Sequence, residues 1–159
     1  MLPVTILCVG KLKDAFFTDA ANEYLKRLKA YAKTEITEIP AAVLPENPAP
    51  ALINAALEKE ADELLRRIPS SAFVTALCIE GKGCSSEDFA ALLGDCSQKG
   101  KPIVFLIGGS YGLAERVKKR ADARLSMSPM TFPHRLARIM LLEQIYRGFT
   151  ICAGKAYHK

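Results

Sequence analysis

Tryptophan is absent, histidine occurs only twice, and no two of the five cysteines have CxxC spacing. His134 and His158 are far apart in sequence, which argues against a dedicated His-based metal site. The thiols (Cys8, Cys78, Cys84, Cys96 and Cys152) are odd in number and scattered, so neither a disulfide framework nor a Cys-rich zinc site is expected. Cys8 and Cys78 lie inside apolar runs and read as small core hydrophobes. Apolar runs are short, and none approaches the ~20 residues a membrane span needs. The opening MLPVTILCVG lacks a basic n-region and a small-residue cleavage site, so it reads as a strand rather than a signal peptide. The simplest expected compartment is a reducing cytoplasm. Two phosphate-binding signatures are also missing. GxxxxGK[ST] does not occur, because Gly94 to Gly100-Lys101 has the wrong spacing and runs into proline. GxGxxG does not follow the first strand, where Val9-Gly10-Lys11-Leu12 has one glycine. An ordinary P-loop or Rossmann dinucleotide site is therefore disfavoured.

What is present suits one domain over 1–159. Half of the 159 residues are hydrophobic and 25% are charged, enough to bury a real core. The charge is unevenly placed. Residues 1–99 hold 11 Lys and Arg against 14 Asp and Glu, a net of −3, whereas residues 100–159 hold 11 against 3, a net of +8. The C-terminal part is a candidate anion-binding surface, although lysines and arginines that merely solvate helix faces would give the same arithmetic.

The chain alternates between two periodicities. Residues 4–9 form a β-branched apolar run closed by Gly10. Over 14–32, Phe17, Ala21, Tyr24, Leu25, Leu28 and Tyr31 recur at three- and four-residue steps, which predicts an amphipathic helix. Residues 34–39 alternate as a strand. Pro40, Pro45, Pro48 and Pro50 stiffen the next loop, and a helix over 51–68 ends at Pro69. Strands over 73–79 and 103–107 flank a helix capped by Ser85 or Ser86, with Glu87 and Asp88 in its first turn. A short basic helix over 113–120, a strand over 124–127 and a long helix over 134–149 follow, with Pro133 suited to the last helix's first turn. Strands alternating with helices predict an α/β fold, with a mostly parallel sheet and helices on both faces.

Ligands of open α/β sheets sit outside the carboxyl ends of the strands. Three such ends are unusual: Glu80-Gly81-Lys82-Gly83, Gly108-Gly109-Ser110-Tyr111-Gly112, and the run 126–134. Each glycine turn alone is an ordinary tight turn. Three specialised loops at one sheet edge favour a nucleotide-like ligand. The terminus is also odd, since it ends in an aromatic, an imidazole and a cation. It is either a tail that packs its tyrosine or a flap that stacks on a base and holds a phosphate.

Taken together, several stretches carry a resemblance. They are Ile6 to Lys13, Leu77-Cys78-Ile79-Glu80-Gly81-Lys82, Phe105 to Gly112, Leu125 to Ser128, Met130-Thr131-Phe132-Pro133-His134, Leu142 to Arg147 and Tyr157-His158-Lys159. In this order and spacing the chain resembles, over its whole length, the SPOUT class of S-adenosylmethionine-dependent RNA methyltransferases. More narrowly it resembles the ribosomal large-subunit methyltransferase H family, which methylates N3 of a pseudouridine in 23S rRNA. The resemblance implies a SPOUT fold with a deep trefoil knot in the C-terminal half, a rarity among folds. It implies S-adenosylmethionine bound by Leu77, Gly108, Met127, Ser128, Pro129, Met130, Thr131 and Phe132, and no metal. It also implies a homodimer whose active site is completed across the interface, with Ile139, Leu142 and Ile145 partly buried against the partner. The expected substrate is 23S rRNA within the 50S subunit or the 70S ribosome, and no membrane is involved.

On this reading His158 contacts the base or removes its proton, because a free imidazole titrates close to neutral pH. Tyr157 stacks on or positions the base, and Arg138, Arg147 and Lys159 hold flanking phosphates. Glu143 reads as an i,i+4 partner of Arg147. His134 caps the last helix or touches RNA. Two alternatives stay open: a knotted methyltransferase acting on another rRNA or a tRNA nucleotide, and a non-catalytic module that assists ribosome assembly.

Overall fold

The computed structural model describes every residue from Met1 to Lys159. Ten elements alternate along it: β1 (Leu2–Val9), α1 (Ala15–Leu28), β2 (Ala32–Ile39), α2 (Pro50–Arg66), β3 (Phe73–Lys82), α3 (Ser86–Gln98), β4 (Ile103–Ile107), α4 (Glu115–Arg120), β5 (Ala123–Leu125) and α5 (His134–Cys152). The strands form one sheet in the order β2-β1-β4-β3-β5, and every neighbouring pair is parallel. Parallel strands need cover on both faces, which is why β4 at the centre is apolar and buried throughout, while the edge strand β2 mixes Lys33 and Glu35 with Ile36.

Alternation along the strands builds two cores. Val4, Ile6 and Cys8 of β1, with Ile103, Phe105 and Ile107 of β4, meet α1, α3 and α5 on one face. Leu7, Val9, Val104 and Leu106 meet α2 and α4 on the other. The predicted α/β class is therefore what the chain adopts. Burial pushes the Cys8 thiol up to about 12, in keeping with a core hydrophobe. Cys78 differs from the sequence expectation, being only half-buried. On α5, Leu142 and Ile145 are wholly enclosed in their own core, which corrects the expectation that they lie partly against a partner. Each contributes about 2–3 kcal/mol by leaving water.

Element ends depart from the sequence reading for local reasons. Pro50 is the first residue of α2 rather than part of the loop, a position where its missing N–H costs nothing. Pro133 caps α5 from just outside instead of entering its first turn. Ser85, not Ser86, caps α3: its Oγ accepts from the Asp88 amide at 3.0 Å, while the Ser85 amide donates back to Asp88 Oδ2. β5 stops at Leu125. β3 runs on to Lys82, and Leu125 pairs with both Leu77 and Lys82 of that strand. Residues 78–81 therefore arch out of the ladder. At the base of the arch a Cβ on Gly81 would lie 2.5 Å from the carbonyl carbon of Leu125, so only glycine lets the two chain segments pass this closely.

One cation is buried. Arg138 is 1% exposed, donates from Nη1 to Glu38 Oε2 at 2.7 Å, and donates from Nη2 to the Gly10 carbonyl at 3.1 Å. The Leu12 amide donates to the same Glu38 oxygen at 2.8 Å. This corrects the expectation that Arg138 holds an RNA phosphate, because its guanidinium is enclosed among partners of its own chain. Replacing it with methionine, Arg138→Met, keeps the volume but strands the Glu38 carboxylate and the Gly10 carbonyl. Urea unfolding should show a loss of roughly 2–4 kcal/mol, somewhat less than for a fully buried pair because Glu38 keeps partial contact with water. A variant as stable as the parent would contradict this role.

Candidate active site

The carboxyl ends of β3, β4 and β5 open into a cleft of about 770 Å³. Of the residues expected to hold a cofactor, Leu77, Gly108, Met127, Ser128, Met130, Thr131 and Phe132 line it; Pro129 does not, and stands exposed at the crest of its loop. Local bonds shape the walls. Gly112 donates to the Gly109 carbonyl at 3.1 Å, folding the turn after β4 back on itself. Gly108 lies so close beneath it that a Cβ would be 2.3 Å from the Gly112 carbonyl oxygen. In the facing loop the Ser126 hydroxyl donates to the Ser128 carbonyl at 3.1 Å, and the Met130 amide donates to Ser128 Oγ at 3.0 Å.

The cleft combines backbone polar groups with an apolar rim. Ile79, Tyr111, Met130 and Phe132 border it, and they are half of the eight large hydrophobic residues that the fold leaves exposed. Apolar side chains gathered in water around a concavity mark a binding site. Lys118 and Glu80 pair on the wall, and that bond holds the Glu80 carboxyl below its usual range. His134 faces the same cleft and makes no cap bond to its helix. Burial, aided by the charges of Arg135 and Arg138, lowers its pKa, so the ring is neutral near pH 7. Sequence reading offered His134 a capping or RNA role; only its place just after the third loop hinted at the cleft.

The terminal residues are elsewhere: none of Tyr157, His158 and Lys159 lines the cleft. The tail packs against α5 and α3. The Tyr157 ring meets Tyr146 edge-on at 4.9 Å between centroids and lies under the Arg147 guanidinium, and its hydroxyl donates to Glu143 Oε1 at 3.2 Å. Burial and the nearby Glu143 raise its pKa. Glu143 also accepts from Arg147 Nη2 at 2.6 Å, so the expected i,i+4 pair is formed. His158 Nδ1 lies 3.2 Å from Arg147 Nη1, and His158 Nε2 lies 2.8 Å from Glu87 Oε1. A guanidinium can only donate, so Nδ1 accepts and the ring proton sits on Nε2, directed at Glu87. That bond holds the Glu87 carboxyl below its usual range. Arg147 is a quarter exposed and already paired, while Lys159 is free at the surface. A second hollow of about 440 Å³ lies between α1, α3 and α5. Ile139, Met140 and Gln144 line it, and it shares Leu125, Ser126 and Met127 with the cleft.

Half of the excess positive charge of residues 100–159 is paired within the fold. Arg116 pairs with Glu58 and Asp62, Lys118 with Glu80, Arg135 with Asp14, and Arg138 with Glu38. Each bond joins the basic C-terminal part to the acidic N-terminal part, so the +8 is not a free surface around the cleft.

Comparison with known proteins places this geometry. A family model described as "Predicted SPOUT methyltransferase" matches residues 2–158. A protein of Pelotomaculum thermopropionicum named "Ribosomal RNA large subunit methyltransferase H" is 48% identical over 159 residues, covering 99% of each chain. One of the same name from Carboxydothermus hydrogenoformans is 43% identical, covering 99% of this chain and all of its own length. Among solved structures, a probable methyltransferase from Bordetella pertussis superposes with a TM-score of 0.61 at 14% identity, covering 93% of this chain and 95% of its own, a likeness of fold alone. With the family model matched from end to end and the relatives alike over their full lengths, the chain belongs to the SPOUT methyltransferases, in the ribosomal RNA large subunit methyltransferase H family.

Proposed function

We propose that this chain methylates the RNA of the large ribosomal subunit, taking the methyl group from S-adenosylmethionine and placing it on N3 of a pseudouridine in 23S rRNA. The substrate is the 50S subunit or the 70S ribosome, and the working form is a homodimer. The observation that carries the reading is the glycine-floored, apolar-rimmed cleft at the ends of β3, β4 and β5, in a chain that matches proteins named for this rRNA activity over their whole length. The deep trefoil knot belongs to the same proposal. The close pass of Gly81 against Leu125 and Ser126 is the kind of packing that a threaded chain needs.

The residues present fit the cofactor. Leu77, Met127 and Phe132 offer apolar faces for a purine, and the cradle at Gly108 leaves backbone free to approach it. When bound, S-adenosylmethionine supplies a methyl group already activated on a sulfonium. The chain's own work is then orientation and one proton transfer. The N3–H bond of the base must break as the N3–methyl bond forms. His158 takes that proton at Nδ1 once the ring leaves Arg147, with Glu87 steadying Nε2. Tyr157 positions the base, and Arg147 and Lys159 hold phosphates beside it. Because the tail and the cleft of one chain lie apart, a second copy seated on the half-buried Ile139 and Met140 face would bring its tail to this cleft.

The test is transfer of labelled methyl from S-adenosylmethionine to purified 50S and 70S particles, with mass spectrometry locating the modified nucleotide. Label on another nucleotide, or none on ribosomal RNA, refutes the assignment. Removing Tyr157, His158 and Lys159 should lower methyl transfer about 100-fold or more. Calorimetric binding of the donor should persist, and unchanged turnover would sink the role given to the tail. The substitution Gly108→Ala acts on the other half of the site. It should weaken donor binding roughly tenfold or more as the turn at Gly112 is pushed aside, and wild-type affinity in a folded variant would remove Gly108 from the site.

A further inference from the structure

Most basic side chains near the cleft are already paired, yet the loop after β1 presents two that are not. Lys11 and Lys13 are both exposed, and neither forms an ion pair. Leu12 between them turns inward against the core that α1, α3 and α5 share. The loop backbone is held at Gly10 and Leu12. The Gly10 amide donates to the Ile39 carbonyl at 2.8 Å, the Gly10 carbonyl accepts from buried Arg138, and the Leu12 amide donates to Glu38. Asp14 closes the loop by pairing with Arg135 at 3.3 Å. Two residues further on, Phe16 is 67% exposed and rests on Phe17 with 4.4 Å between ring centroids. A large aromatic held in water beside two unpaired cations is the combination that single-stranded RNA binds: phosphates on the lysines and a base on the ring.

The position matches as well. β1 lies next to β4 in the sheet, and Val9 at its end is 3.4 Å from where a Cβ on Gly109 of the cleft would lie. α5 begins with His134 in the cleft and continues with Arg135, which is bonded to this loop. The ledge therefore flanks the cleft on the β1 side.

We infer that Lys11, Lys13 and Phe16 form a rigid ledge that grips the substrate RNA strand next to the nucleotide being methylated. This rests on the reading of the chain as an RNA methyltransferase. A fixed loop suits the task because little order is lost when the strand binds. The hold is sequence-tolerant, since neither a phosphate contact nor stacking on a ring reads base identity.

The test uses full-length protein and two readouts, methylation of 50S particles and salt-dependent binding of an rRNA fragment. In the double variant Lys11→Ala/Lys13→Ala, RNA affinity should fall roughly tenfold, and the slope of log affinity against log salt should drop by about 1.5, as for two lost phosphate contacts. KM for the particles should rise while kcat and donor binding hold. Phe16→Ala should weaken RNA binding about tenfold with no change in salt slope. If the wild type methylates rRNA and the lysine variant matches it in affinity and slope, the ledge is wrong and the enzymatic reading stands. If the wild type does not methylate rRNA, that reading fails, and the binding arm still decides the ledge. A Phe16→Ala protein that sediments at lower mass with intact RNA affinity would make Phe16 a contact between copies of the chain and overturn its place in the ledge.

Discussion

The buried contact between Arg138 and Glu38 is the constraint on which the working edge of the molecule depends. One guanidinium ties the end of β2, the turn after β1 and the second turn of α5 into a single unit. A charge removed from water is costly unless its donors are matched, and here Nη1 and Nη2 are matched while Nε is buried without a partner. The consequence is geometric. α5 cannot tilt away from β1 without breaking a charged hydrogen bond, so His134 stays at the cleft and the loop carrying Lys11 and Lys13 stays beside it.

The same economy of charge governs the rest of the surface. A chain with +8 over its last 60 residues invites the view that its C-terminal half is a bare basic face. Folding lays α4 against α2 and α5 against the β1 and β2 loops, and Arg116, Arg135 and Arg138 meet carboxylates of the first half. Exposed pairs of this kind add little to stability, about 0–1 kcal/mol each. Their larger effect is to neutralise the flanks of the cleft, where Lys118, Arg124, Arg135 and Arg138 are all paired.

Much of the architecture was legible because the sequence carries it locally. The apolar run of β4 reads as a doubly covered strand, the Ser85–Asp88 box marks the start of α3, and the three-and-four spacing from Phe17 to Leu28 marks α1. The cleft was legible too, since three unusual loops follow three strand ends. What could not be read were long-range pairings. Nothing near position 138 distinguishes an arginine that meets a phosphate from one that meets Glu38, a hundred residues earlier. The β3 arch depends on a register shift against β5, and Gly81 is informative only once Leu125 is seen to pass it. For His134, at a helix start, only its place by the third loop suggests that its ring turns to the cleft rather than to a cap.

The tail shows how one local rule can serve two ends. Tyr157 and His158 are held by contacts of very different character. The tyrosine is packed on Tyr146 and under Arg147, an aromatic and cationic sandwich whose strength lies in contact area as much as in charge. The histidine is held by two polar bonds, one of them to Glu87, a side chain 62% exposed to water. Water competes for the second kind of bond far more than for the first. The tail is therefore anchored at Tyr157 and releasable at His158, so the imidazole can change partners without undocking the chain that carries it.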